Sequence, residues 1–349
     1  MDDIDALDAD LGEALQDGEA ELAQAIFAHI AAVLDRRYAA SGFYRRDAHP
    51  KSHGCVRAEF RVDDDLAPDL AHGVFAPGKR YPAWVRFSNG GGEAARHDAE
   101  GEGRGMAIKL MGVPGEKLLP DERDAGTQDF VLLSHPTFVV DDASAYLTFI
   151  ERFGSTSLRD RLVTAFTLGL RGTRAALAVQ GTKIANPLET RYWSTTPYRL
   201  GLGAAKRAVK YSARPIGEAR SVVPPSPGPD FLREAMAAHL GGREARFEFM
   251  VQPRASEAMR VEDSVTEWNE SEAPFRRVAT LTIPPQTFST PARDAFGENL
   301  SFNPWHALPE YKPLGAVNRI RRVVYTAVSK LRHQHNGVPR REPTPDDDA

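Results

Sequence analysis

The chain has 349 residues, 42% of them hydrophobic and 26% charged, which is the composition of an ordinary globular protein able to bury one large core or two modest ones. A net charge of −4 argues against nucleic acid, whose partners carry a strong basic excess. The single cysteine, Cys55, excludes an intramolecular disulfide and any multi-cysteine zinc or iron–sulfur site, and fits a reducing, cytoplasmic compartment.

No run of about 18 apolar residues stands out, and the N-terminus is acidic where a secretory signal is basic and then apolar, so the chain reads as neither exported nor membrane-spanning. The charge is uneven. Acidic residues crowd the first 21 positions and positions 346–348, while the region from Arg152 to Arg220 is basic. A basic helix there is first of all a solvated face, and it is also consistent with peripheral lipid contact near Arg159 to Arg174.

Residues 1–20 hold many carboxylates and few large apolar groups, which predicts a poorly packed arm. From Leu22 onward Ile26, Phe27, Ile30, Val33 and Leu34 recur at helical spacing, and Gly42 ends that helix. Strand alternation follows: Val56, Ala58, Phe60 and Val62 point one way, Arg57, Glu59 and Arg61 the other. Further strands are predicted at Ala83 to Phe87, Met106 to Met111, Asp129 to Leu133, Arg246 to Val251 and Val278 to Ile283. Long loops and helices separate them in place of regular crossover helices, which favours an antiparallel barrel or sandwich over a doubly wound parallel sheet.

Helix is predicted at Leu158 to Val179 and again from about Val317, and the Pro-rich run Val222 to Pro229 reads as a connector because strand pattern resumes after it. The tail beyond Asn336 is predicted to be mobile.

The closing helix, Val317 to His335, divides its faces. At about 100° per residue, Arg321, Tyr325 and Arg332 share one narrow flank beside an apolar stripe of Val317, Ile320, Val324, Ala327 and Leu331. A guanidinium one turn from a phenol favours the phenolate, and a tyrosinate is an axial haem ligand in catalases. The bland alternative is a surface helix rich in arginine.

Near the other end, the run Arg46 to Cys55 leads into the first strand, and Pro50 is expected to hold His49 in extended geometry. A fixed imidazole could move the proton in O–O cleavage. His49, His53 and Cys55 have a spacing that would also suit zinc, but no fourth ligand is evident. The glycine runs at 89–92 and 101–105 lack the ending of a phosphate loop, and no nucleophile elbow occurs.

Taken together these runs resemble the haem catalase superfamily, in particular its shorter catalase-related branch. Arg46 to His49 matches the family's R-x-x-H, Val85 to Ser88 its V-R-F-S, and Arg104 to Lys109 its R-G-x-A-x-K strand. Arg321, Tyr325 and Arg332 match its R-x-x-x-Y with a second arginine seven residues later. The resemblance implies an α+β fold: a catalase-like antiparallel β-barrel with surrounding helices and a C-terminal haem-binding helix. The domains implied are a flexible arm (1–20), a single haem domain (21–337) and a flexible tail (338–349), with the N-terminal segment wrapping the barrel or another subunit of a homo-oligomer.

The cofactor implied is haem b. His49 would be the distal acid–base group with Ser88 hydrogen-bonded to its ring, Tyr325 would bind iron, and Arg321 would stabilise its phenolate. Arg46, Arg86 and Arg332 would pair with the haem carboxylates, and Phe138 and Tyr146 would pack near the ring. One departure stands out: the distal asparagine of the family, expected just before Pro136, is replaced by Leu133 or Ser134.

The function implied is a haem-dependent peroxidase or catalase-like oxidoreductase acting on hydrogen peroxide or organic hydroperoxides with an unidentified electron donor. Rearrangement of fatty-acid hydroperoxides, in the manner of an allene oxide synthase, and non-catalytic haem binding are the alternatives.

Overall fold

The computed structural model of the protein describes residues 4–152, 157–218 and 220–347. In chain order the elements are helix α1 (Glu19–Tyr38), strands β1 (Ser52–Val62), β2 (Arg80–Asn89), β3 (Arg104–Met111) and β4 (Thr127–Leu133), helices α2 (Ala143–Arg152) and α3 (Leu158–Gly181), and strands β5 (Tyr192–Trp193), β6 (Tyr198–Leu200) and β7 (Arg207–Pro215). Helix α4 (Phe231–Leu240), strands β8 (Ala245–Pro253) and β9 (Arg276–Ile283), and helices α5 (Pro291–Asn299) and α6 (Ala316–Asn336) complete the chain.

The strands lie in the order β5-β4-β3-β2-β1-β9-β8-β7-β6, and a second pairing of β5 with β7 closes the sheet on itself. Eight strands therefore form an antiparallel barrel, with β6 extending the edge of β7. Closure removes the exposed sheet edges on which other chains could pair. Along β2 and β3 the alternation is clean: Ala83, Val85, Phe87, Met106, Ile108 and Leu110 point into the core, while Arg86, Ser88, Gly105 and Lys109 face outward. Rings of Phe60, Phe75, Phe130, Tyr211, Phe249 and Tyr311 fill the interior with centroids 4.7–6.4 Å apart, so the barrel is a packed core and offers no channel.

Outside that wall sit the helices. The stripe Ala23, Ile26, Ile30 and Leu34 of α1 packs against Ile320, Val324 and Val328 of α6, with Ala143 of α2 completing the cluster. All six strands expected from alternation form, as do the three expected helices. Strand β7 was not foreseen, because its outward positions are Lys210 and Ser212, both buried, which erases the polar alternation.

Two expectations are corrected. From residue 4 the acidic arm is held against the body: Asp8 is buried and binds Arg199, Lys206 and Lys312, Glu13 accepts from the Gly315 amide, and Glu19 accepts from Arg319. Composition suggested looseness because its carboxylates find their cations about 200–300 residues away, at a separation no local pattern reveals. The tail is held likewise through 347, with Glu342 paired to Lys109 on β3. By length and composition alone α3 would suffice to cross a bilayer, its best window having a mean hydropathy of 1.2 with little of it buried.

Candidate active site

His49 lies in the loop ahead of β1 with a φ of 59°, so it is left-handed and not extended as Pro50 suggested. That conformation costs a non-glycine residue free energy and persists only where the surroundings over-determine it. Two bonds do so: Arg86 Nη2 donates to the His49 carbonyl at 2.9 Å, and Ser88 Oγ sits 2.9 Å from His49 Nδ1. Ser88 thus engages Nδ1 and leaves Nε2 as the working nitrogen.

Ser88, Gly105 and Leu133 are register partners across β2, β3 and β4, and they form one row on the outer face of the barrel. A Cβ on Gly105 would lie 2.6 Å from His49 Nδ1 and 2.8 Å from Ser88 Oγ. Glycine is therefore required for the imidazole to lie against the sheet. The two residues expected in place of the family's distal amide point differently. Leu133 shares the face of Ser88 and Gly105, whereas Ser134 turns its hydroxyl to the Arg104 amide at 2.8 Å.

Burial, then the charges of Arg86, Arg46 and Arg321, push the His49 pKa down to about 3. The ring nevertheless belongs to a half-exposed residue. Tyr146, likewise only partly buried by area, is pushed far above its ordinary pKa by desolvation and by Tyr325.

Helix α6 supplies the opposite wall. Gly315 opens it at a φ of 86°, and Glu262 accepts from the Ala316 amide at 2.7 Å, compensating the first turn. Its apolar stripe is committed to α1, so Arg321, Tyr325 and Arg332 turn toward the barrel side. Arg321 is buried, donates to Thr196 Oγ1 at 3.1 Å and Asn318 Oδ1 at 3.2 Å, and lies 4.9 Å from the centre of the Phe138 ring. Phe138 meets Tyr146 edge to face at 5.6 Å. Burial raises Tyr198 to about 12, with Arg321 opposing and Tyr325 adding, so that phenol faces the same group.

A third set of residues converges on Glu298 at the end of α5. Arg332 Nη1 is 2.7 Å from its carboxylate, Arg46 Nη1 2.9 Å and Arg86 Nη2 3.9 Å. Burial would raise Glu298, but the Arg46, Arg332 and Arg86 charges outweigh it and hold the carboxyl below its usual value. Burial and mutual repulsion with Arg46 bring Arg86 down to about 9 and Arg332 to about 10. Asp47 nearby is raised by its own burial. Three guanidiniums thus share one fully charged carboxylate.

Of the residues expected at the site from the sequence, Ser88 and Arg86 meet His49, Arg46, Arg86 and Arg332 meet at Glu298, and Phe138, Tyr146 and Tyr325 group beside Arg321. Sequence reasoning missed Glu298, which sits in a short helix without a motif, and the role of Gly105 inside a motif that was recognised. The zinc trio does not assemble: His53 Nε2 bonds Asn89 at 2.8 Å and Cys55 is buried in a separate apolar cluster, its thiol pushed up to about 12 by burial. Among the described residues, the metal-ligand types that do crowd together are Glu122, His306 and Glu342, but Lys109 and Arg340 already neutralise them.

A closed antiparallel barrel walled on one side by α1, α2 and α6, with the imidazole row on its outer face, defines a catalase fold. The comparisons agree. The family model described as Catalase matches residues 17–159. The catalase-related peroxidase of Mycolicibacterium paratuberculosis (strain ATCC BAA-968 / K-10) is 27% identical over 270 residues, 73% of this chain and 79% of that relative.

Among solved structures, catalase A from Saccharomyces cerevisiae superposes with a TM-score of 0.68 at 19% identity over 86% of this chain, and a bacterial catalase with a TM-score of 0.64 at 18% identity over 95% of it. The chain spans 65% and 63% of the lengths of those two catalases. The resemblance read from the four motifs agrees with these matches: residues 17–159 are similar to the Catalase family model, and the fold is that of the catalases.

Proposed function

We propose that this chain is a haem-dependent peroxidase acting on hydrogen peroxide or organic hydroperoxides. The observation that carries the reading is the neutral imidazole of His49, locked by Ser88 and Arg86 against a row of outward barrel residues, with Arg321 of α6 close enough for its charge to disfavour the imidazolium. The residues fit a haem on two further grounds. Arg86 Nε and Arg321 Nε are buried without an acceptor. The three guanidiniums at Glu298 also leave an excess of positive charge, which suits a ligand bearing two carboxylates.

In this reading Tyr325 would ligate the iron of haem b with Arg321 beside it, Arg46, Arg86 and Arg332 would hold its carboxylates, and Phe138 and Tyr146 would pack near the macrocycle. Haem, when bound, supplies the redox chemistry of O–O cleavage. The protein's own part is proton management. With a pKa of about 3, His49 is neutral at pH 7, so Nε2 can take the proton from the near oxygen of an incoming peroxide and return it to the departing oxygen as water or alcohol forms. The Ser88 hydroxyl keeps the ring from turning during that transfer.

Leu133 supports a second reading. With an alkyl group where the family has an amide, the wall beside His49 cannot hydrogen-bond hydrogen peroxide, and an apolar hydroperoxide suits it better. Rearrangement of a fatty-acid hydroperoxide is then the competing activity.

The test begins with an absorption spectrum of the purified protein, where a haem band with tyrosinate character is expected and is expected to be lost or displaced in Tyr325→Phe. An unchanged spectrum in that variant removes Tyr325 as the ligand. Hydrogen peroxide alone, a hydroperoxide with a dye donor, and a polyunsaturated fatty-acid hydroperoxide then separate disproportionation, peroxidase and rearrangement activities. Oxidation of the dye supports the first reading. Haem binding with no turnover in any assay leaves a haem carrier and overturns both enzymatic ones.

A further inference from the structure

Helix α3 carries an unusual surface. Five of the twelve large exposed hydrophobic side chains among the described residues lie on it: Leu158, Leu162, Phe166, Leu170 and Leu177, the phenyl ring of Phe166 being 90% exposed. The first three recur at intervals of four residues within the segment ahead of Gly169, so they form one stripe along its solvent side, and Leu170 and Leu177 follow the break. The opposite face is firmly seated. Gly172 and Ala175 are buried, a Cβ on Gly172 would lie 2.6 Å from the Val139 carbonyl, and Leu168, Ala176 and Val179 pack with Val139, Val140 and Ala145. The stripe is thus held outward by close packing behind it.

Its charge is equally particular. Over Leu158–Gly181 the helix carries Arg159, Arg161, Arg171 and Arg174 against a single acid, Asp160, in a chain whose net charge is −4. Asp160 is taken up by Arg152 at 2.6 Å, and Arg171 by Asp263 at 2.9 Å. Arg159, Arg161 and Arg174 are exposed beside the leucines.

We propose that α3 is a peripheral membrane-docking helix that lays its Leu158–Phe166 stripe, with the exposed Leu170 beyond the break, into the interface of a bilayer rich in anionic phospholipid. Crossing the bilayer is ruled out by geometry. Arg161 and Arg171 are ten residues apart, about 15 Å along a helix, and the hydrocarbon core is about 30 Å thick. The backbone also breaks between them, at Gly169 with φ 61° and ψ −173°. A helix lying in the interface needs only the outward stripe, with arginines reaching to the headgroups.

A second copy of the chain fits less well. A two-fold contact through Leu158, Leu162 and Phe166 brings together two copies of the same segment, each with Arg159 and Arg161 beside its leucines. Like charges facing across an apolar seam cost free energy, while phosphate groups answer the same pattern directly.

Vesicle binding needs no turnover, so the proposal stands or falls independently of the reaction assigned to the site. The full-length protein is sedimented with vesicles of phosphatidylcholine alone and of phosphatidylcholine mixed with phosphatidylglycerol. Binding is expected on the anionic vesicles, weaker on the neutral ones and falling with salt. The double variant Phe166→Glu, Leu170→Glu is expected to lose about tenfold or more of that affinity with its circular dichroism and visible spectrum unchanged. The triple variant Arg159→Gln, Arg161→Gln, Arg174→Gln is expected to lose the preference for anionic lipid.

Failure to bind either vesicle overturns the proposal, as does equal binding by the Glu double variant. A dimer in sedimentation velocity that this double variant dissociates, without vesicle binding, assigns the face to a second copy and overturns it as well.

Discussion

At the scale of single residues, the site depends on where one imidazole can lie. His49 is expected to be dispensable for binding cofactor but not for moving protons: His49→Ala should keep its haem spectrum while peroxide turnover falls by about 10²–10⁴, measured as kcat with a dye donor. The wild-type acid limb of kcat/KM, which reports the free enzyme, should lie well below the ordinary histidine value of 6.5 and toward about 3, since burial and the Arg86, Arg46 and Arg321 charges disfavour the imidazolium.

Gly105→Ala isolates position from chemistry. The added methyl would meet the ring at 2.6 Å, so turnover should drop by about tenfold or more with every titratable group retained. Leu133→Asn restores an amide to the row beside Gly105 and should raise hydrogen peroxide disproportionation relative to dye oxidation. No change in that ratio would mean that Leu133 does not set the preference.

Among the secondary-structure elements, α5 and α6 are joined across the site by Glu298. Its carboxylate is held charged among Arg46, Arg86 and Arg332, so Glu298→Gln leaves those guanidiniums facing one another in a buried setting. The apoprotein should lose about 3 kcal/mol or more in urea unfolding, and the difference should narrow once a ligand bearing two carboxylates is bound. An equal loss with and without haem would mean that the arginines do not turn to the cofactor.

This is also the scale at which the sequence could and could not be read. The α6 flank was legible because helical spacing alone sets Arg321, Tyr325 and Arg332 in line, and β1 was legible because Phe60 and Val62 alternate with Arg61. Strand β7 was hidden by a buried lysine, Lys210, resting 5.1 Å from the Trp268 ring. Helices α2, α4 and α5, only nine or ten residues each, are too short to show a period. Glu298 consequently had no frame from which to be noticed.

For the molecule as a whole, a buried charge network ties the tail to the barrel. His306 lies 2.6 Å from Glu122 and 2.8 Å from Asp129, Lys109 is 2.6 Å from Asp129, and Glu342 reaches in from the tail to pair with Lys109. Burial alone would lower His306, but the Glu342 and Asp129 carboxylates outweigh it, with Lys109 opposing, and bring it up to about 9. A histidine raised in the folded state stabilises fully below its unfolded pKa of about 6.5 and loses that contribution as pH climbs through its folded value.

The melting temperature should therefore fall between about pH 6.5 and pH 9.5, by about 2–4 °C for each kcal/mol lost. His306→Gln should flatten that slope while lowering the melting temperature at pH 6. A slope unchanged in the variant would assign the alkaline loss to other groups.

The pairing of β1 with β9 sets Glu59 opposite Thr282 and Val62 opposite Ala279. A ribosome delivers the first of these partners more than two hundred residues ahead of the second, so during synthesis β1 waits with one edge unsatisfied until β9 has emerged. Cotranslational closure of the sheet is thereby postponed until that late strand arrives. Nascent chains stalled before β9 should stay protease-sensitive and engage chaperones, and a circular permutant that begins at β8 should shorten that vulnerable interval.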